Sequence, residues 1–298
     1  MAVTTPGLRR PATTESPLKF RSRRTKRTVG DWILLLAVIL VGLVIVVPFV
    51  IIAINSFKSA ADYNSAGPLA LPKAIYLGGI ENFWNRVNFP LKLWNSVFIS
   101  GAVAILAVLV SVLNAFAIGI GRVRGRTWII VLFLLANTVP QESMLYPLYY
   151  MFKQVGLYDT QLAVIIIFTV IQSAFGTYLL SSVFGTFPRE VLEAASLDGA
   201  GRWQILWRVI VPISRPTLAV LVIFFFIWTW NEFLIPLTFL ISNDNQTVPV
   251  SIALLQGDKT MDVTTTSASA LLGLIPTLVF FLIFQRTLTR GITAGAVK

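Results

Sequence analysis

Two carboxylates, Glu142 and Glu232, stand inside runs that are otherwise apolar. A charge in hydrocarbon is costly, and one that is kept serves a solute path, a proton relay or a paired contact. Each has amide company: Asn137 and Gln141 for the first, Asn231 for the second. Pro140, Pro147 and Pro236 loosen the backbone hydrogen bonding nearby. Carboxylates and amides together suit a polyhydroxylated solute, and a lone carboxylate can carry a proton. The same groups also serve as hydrogen bonds between helices or subunits. The chain has no His and no Cys. Disulfides, thiolate nucleophiles, Cys/His zinc sites and imidazole bases are therefore excluded. No HExxH and no GxxxxGK[ST] occurs, so no catalytic residue, no metal site, no cofactor and no P-loop is expected. Nothing resembles the repeated filter of a channel.

The elements that position these groups are membrane spans. Of 298 residues, 56% are hydrophobic and only 12% are charged. Crossing a bilayer takes about 20 apolar helical residues. Six stretches qualify: Trp32 to Ile54, Leu93 to Gly121, Thr127 to Phe152, Thr160 to Phe187, Pro216 to Asn243 and Val263 to Gln285. The third holds Glu142 and the fifth Glu232. Read as unbroken helices, these place Glu142 roughly 22 Å and Glu232 roughly 24 Å from the start of their spans, at similar depth. The expectation is an all-α membrane protein with six transmembrane helices. Residues 55–92, with Pro68, Pro72, Pro90 and Trp84, are expected to form short surface helices and are too few for a separate binding domain.

The net charge of +11 does not signal nucleic acid, because the basic residues flank the spans. Eighteen of the 24 Lys and Arg fall in the N-terminal tail, the loops after the second and fourth spans, and the C-terminal end. Six, namely Lys58, Lys73, Arg86, Lys92, Lys153 and Lys259, fall on the other side. This asymmetry puts both termini in the cytoplasm of a multi-pass protein of the cell membrane. Residues 1–28 read as a disordered basic cytoplasmic tail that touches anionic membrane lipid, and residues 29–298 as a transmembrane domain. The first apolar run is too long and starts too late for a cleaved signal peptide.

Between the fourth and fifth spans, over about residues 182–215, lies a polar segment with its own pattern. Pro188 opens a helix carrying Glu190 and Glu193, with Val191, Leu192 and Ala195 on one face. Gly199 can take the left-handed conformation that ends it. Trp203, Leu206, Trp207 and Ile210 then recur at helical spacing, with Pro212 as the expected stop. The result is a helix, a corner and a second helix under the bilayer.

Glu193-Ala194-Ala195, then Gly199 after three intervening residues, then Val209, Val211 and Pro212, resembles the EAA loop of type I ABC importer permeases. The family's Ile and Leu positions are Val209 and Val211 here. Thr229-Trp230-Asn231-Glu232-Phe233-Leu234 and the end from Gln285 to Lys298 resemble the carbohydrate, maltose-type branch. The likeness runs from about Trp32 onward, with a core over about residues 91–286. It implies a non-catalytic permease subunit that pairs with a second, different permease subunit. It further implies a dimer of ATPase subunits and an extracytoplasmic sugar-binding protein as partners. Glu190, Glu193, Ala194, Ala195, Asp198, Gly199 and Pro212 would form the coupling contact with the ATPase. Thr293, Ala294 and Gly295 would reach the ATPase dimer as a tail. Asn137, Gln141, Glu142, Asn231 and Glu232 would line the translocation path or its gate. The rival expectation is a proton-coupled secondary transporter using Glu142 and Glu232.

Overall fold

The computed structural model describes residues 28–121, 123–256 and 262–296, with side chains described to Leu255 before the second gap and to Thr287 in the last helix. The chain divides into two units at Pro48. The first holds most of α1 (Val29–Ser56), which opens on a local cap. Asp31 and Trp32 donate their N–H groups to the Thr28 carbonyl, and the Asp31 carboxylate accepts from Thr28 N at 2.7 Å. Beyond Asp31 the helix is apolar and long enough to span hydrocarbon. The basic tail expected over residues 1–28 lies outside the described residues except for Thr28.

The second unit, from Phe49 onward, is helical, with no strand among the described residues. Its connecting segment forms two short helices, α2 (Ala60–Ala66) and α3 (Gly78–Arg86), as expected. Its centre is the contact of α4 (Phe89–Gly119) with α7 (Gln161–Gly185) and α9 (Arg202–Asn231). Small residues allow the approach: Ala104, Ala107 and Ala115 are buried on α4, and a Cβ on Gly176 of α7 would stand 2.2 Å from Ser111 Oγ and 3.0 Å from Phe225. Ser111 Oγ donates to the Ala107 carbonyl at 2.6 Å, and Ser173 O lies 3.2 Å away across the helix pair.

The third and fifth spans depart from the sequence expectation. The third is broken into α5 (Arg126–Ala136) and α6 (Gln141–Gln154), bent by 93°. Pro140 lacks an N–H and keeps Val139 out of helical geometry. Asn137 Nδ2 and Thr138 Oγ1 bond to the Phe133 and Leu135 carbonyls, each at 2.7 Å, and so cap the last turn of α5. Glu142 therefore sits in the first turn of α6, not fifteen residues up a straight rod.

The fifth begins at Arg202 rather than Pro216, and Pro212 does not stop it. Residues Ile205–Ile210 form wide π-turns, and Val211 donates to the Leu206 carbonyl five residues back. Widening makes room for the proline ring that a tight helix would expel. The helix ends at Asn231, not Asn243; Glu232 is extended, and a short α10 (Leu234–Phe239) follows. Beyond α11 (Val248–Gln256), α12 (Val263–Ala296) completes the chain. Among the described residues five helices are long and apolar enough to cross a membrane, and six if the bent pair counts as one span.

One end of this unit is stitched shut. Lys92, fully buried, donates to both oxygens of Asn243, and Asn95 Nδ2 donates to the Asp244 and Gln246 carbonyls at 2.7 and 3.0 Å. Asp159, in the left-handed region at φ 61, accepts from Ser242 N at 2.9 Å and from its hydroxyl. Burial pushes the Asp159 carboxyl up, but the Ser242 and Asn245 hydrogen bonds outweigh it and hold the group below its ordinary range.

Two outcomes follow from this packing. Gly176→Ala should cost on the order of 1–3 kcal/mol by overpacking. Thermal unfolding of the purified protein reads this, with Gly185→Ala as the control for helix propensity because nothing stands within 4 Å of its added Cβ. The depressed Asp159 contributes stability that is present above the ordinary carboxylate value and lost as pH falls through the folded-state value. The unfolding midpoint should drop with acidification below about pH 4, and Asp159→Asn should remove part of that slope.

Candidate functional site

The polar segment folds as helix, corner, helix. α8 (Arg189–Leu197) starts after an extended Pro188 and ends on Gly199 at φ +80. Ala200 N donates to the Ala195 carbonyl at 3.0 Å and Gly199 N to the Ser196 carbonyl at 3.1 Å. This is the Schellman pattern, completed by its apolar contact, since Ala195 and Ala200 both rest on the central cluster. The next helix starts at once: Gly201 N donates to Gln204 Oε1 at 2.9 Å.

Leu192 joins Ala195 and Ala200 on that cluster, beside the buried Leu206, Ile210 and Phe184. Val191, expected on the same face, is exposed. The outer face presents Glu190, Glu193, Ala194, Asp198 and Gly199 in the open, and Leu197 is 88% exposed. Glu193 also borders a cavity of about 240 Å³ shared with Arg126, Arg189 and Phe187. Pro212 is half-buried inside α9, one turn beyond Arg208.

The second group gathers where the two broken spans meet. Glu232 Oε1 accepts from Trp228 Nε1 at 3.1 Å, one turn back on α9. Gln141 of α6 lies beside the same carboxylate, and Glu142 is close enough to act on its charge. The structure thus joins Gln141, Glu142 and Glu232 across two helices. Asn137 and Asn231 take another part: each donates its amide to its own helix, to the Phe133 and Ile227 carbonyls, both at 2.7 Å. Asn231 also borders an apolar cavity of about 340 Å³ with Trp230, Pro276 and Phe280.

Sequence reading missed Trp228, although its place four residues before Glu232 on a helix is a usable signal. It also missed the buried bond from Gln172 Nε2 to Thr229 Oγ1, 2.8 Å, which no local pattern announces. The tail positions Thr293, Ala294 and Gly295 fall on helical backbone at the end of α12, and their side chains lie outside the described ones.

Residues 114–293 match the family of the binding-protein-dependent transport system inner membrane component. The chain belongs to that family. It is 30% identical over 253 residues to the inner membrane ABC transporter permease protein YcjP of Escherichia coli, covering 84% of this chain and 90% of the relative. It is 30% identical over 251 residues to the lactose transport system permease protein LacG of Rhizobium radiobacter, covering 84% and 90%. It is 29% identical over 272 residues to the trehalose/maltose transport system permease protein MalG of Thermococcus litoralis, covering 89% and 96%. In fold it matches a chain of a crystallised bacterial ABC transporter involved in import of the acidic polysaccharide alginate, with TM-score 0.75 and 21% identity, covering 88% of this chain and 99% of that one. The protein is thus a multi-pass permease component of the cell membrane.

In this permease Glu232 accepts from Trp228 of α9 and lies beside Gln141 of α6. Glu232→Leu should orphan the half-buried Trp228 Nε1 and remove the polar neighbour of Gln141, at up to about 1–3 kcal/mol. Glu232→Gln keeps an acceptor oxygen and should lose less. Unfolding midpoints of the two variants in detergent give the comparison, and equal midpoints would remove the cross-helix role.

Proposed function

We propose that this chain is one of two different permease subunits of an ATP-driven sugar importer. It shares the translocation path with its partner, receives sugar from an extracytoplasmic binding protein, and is driven by a dimer of cytoplasmic ATPase subunits. The observation that carries this reading is the corner at Gly199. Its apolar side is clamped to the helix core while its carboxylates and Leu197 face outward. A rigid peg of this kind can pass motion from a partner into the spans. The excess of Lys and Arg on the same side favours a cytoplasmic position for the corner and both termini.

In this reading Glu190, Glu193 and Asp198 meet basic groups of the ATPase, and Ala194 and Gly199 allow its backbone to come close. Thr293, Ala294 and Gly295 extend the same contact from the end of α12. The relatives named for lactose and for trehalose/maltose support sugar as the solute class. Gln141, Glu142 and Glu232 form the polar point of the path. A proton-coupled carrier is not favoured, because the family is one of binding-protein-dependent importers.

The test is the assembled complex in vesicles. Uptake should need ATP and the ATPase and should survive an uncoupler. Gly199→Val forces a β-branched residue into left-handed geometry at roughly 1–2 kcal/mol. It should lower sugar-stimulated ATP hydrolysis and uptake together by about tenfold, the ratio that 1.4 kcal/mol represents. Unchanged coupled hydrolysis in Gly199→Val would refute the coupling role.

A further inference from the structure

The outer side of α6 carries Glu142, Tyr146 and Tyr150, spaced four residues apart and so aligned along the helix. Leu145, Leu148 and Tyr149 hold its other side against a core that includes Phe168 and Phe239. Tyr146 is 69% exposed and Tyr150 48%. Their ring centroids lie 4.8 Å apart, the planes tilted by 60°. Glu142, the first of the line, is exposed and close enough to Glu232 to act on its charge.

A carboxylate and two phenols are a poor match to hydrocarbon, which satisfies no polar group. The exposed side of α12 shows the contrast, with Leu278, Val279, Phe281, Leu282 and Ile283. The outer side of α6 therefore meets water or another polar surface. An aromatic face that can take the C–H side of a ring, next to a carboxylate that accepts from hydroxyls, is the chemistry that holds a pyranose. Each four-residue step advances about 6 Å along the helix, so successive side chains can meet successive parts of one small saccharide.

We propose that Tyr146 and Tyr150 form a sugar-stacking face in the aqueous part of the path, with Glu142 accepting hydrogen bonds from the sugar's hydroxyls. This rests on the sugar-importer reading above and adds the residues that handle the solute.

The chain contains no cysteine, so Tyr146→Cys or Tyr150→Cys supplies its one thiol. The complex is assembled with its partner permease, ATPase and binding protein in proteoliposomes, and lactose, maltose, trehalose and melibiose serve as probes. The thiols should react with a water-soluble maleimide and should be protected severalfold during turnover with the sugar that the wild-type complex takes up. Tyr146→Ala should raise the sugar concentration for half-maximal uptake, and Tyr146→Phe, which keeps the ring, should raise it less, with equal co-purification of all subunits. Three results overturn the proposal: thiols that react only with a lipid-soluble reagent, thiols masked by assembly whether or not sugar is present, or Tyr146→Ala uptake equal to wild type. Absence of ATP-dependent uptake of every probe sugar by the wild-type complex would instead remove the sugar reading and this proposal with it.

Discussion

Hydrocarbon offers no hydrogen bonds, and this chain nevertheless breaks two of its described spans and widens one of them around a proline. Each break is closed locally. At residues 137–140 the freed carbonyls of α5 are taken by Asn137 and Thr138. At the end of α9 the Asn231 amide caps Ile227 and Glu232 N returns to Thr229. Around Pro212 the backbone widens into π-turns and does not break at all. A break that keeps its backbone groups satisfied can be used for something else. The two broken spans use theirs to bring Gln141, Glu142 and Glu232 to one point. Straight helices would have spread these groups along separate rods.

The same economy links the polar point to the corner. α9 runs 30 residues from Arg202 to Asn231, with the Gly199 corner just before its start and Glu232 just beyond its end. Leu206 and Ile210 fix its first turns in the cluster that also holds Leu192 and Ala195 of α8. At about 1.5 Å per residue the helix is a lever of roughly 45 Å. In the proposed importer, a displacement of α8 by the ATPase reaches Glu232 through one continuous element. No chain of intervening loops is required.

The corner was legible down to the residue because helix ends obey local rules. Gly199, Ala195 and Ala200 stand close in sequence, and the Schellman pattern needs only their spacing. The spans were legible as apolar stretches but not as shapes. Prolines are tolerated inside membrane helices, so Pro140 breaks one while Pro212 and Pro216 ride within another, and nothing in a window of hydropathy separates the cases. Lys92 reads in sequence as a flanking charge, yet it is fully buried on Asn243, a partner 151 residues away. Asn137 and Asn231 read as solute ligands because amides near carboxylates suit sugars. Their own carbonyl neighbours claim one amide N–H of each, leaving the other N–H and the amide oxygen to offer.

The distribution of hydrogen bonds also bears on which parts can move. The end of the second unit near Lys92, Asn95, Asp159 and residues 242–248 is cross-linked by several bonds between distant segments. The centre, where α4, α7 and α9 meet, is joined mainly by small and apolar side chains. There Gln172 Oε1, Ser181 Oγ and Ser214 Oγ are buried with no partner among the described residues. An unmatched buried acceptor costs about 1–3 kcal/mol, so an arrangement that gives it a partner is favoured by that amount when other contacts stay equal. Smooth helix faces with unspent hydrogen-bonding groups can slide between two packings; a stitched loop cannot without breaking several bonds at once. In the proposed importer, alternating access is therefore expected to be motion within the α4–α7–α9 contact, with the stitched end held as a fixed frame.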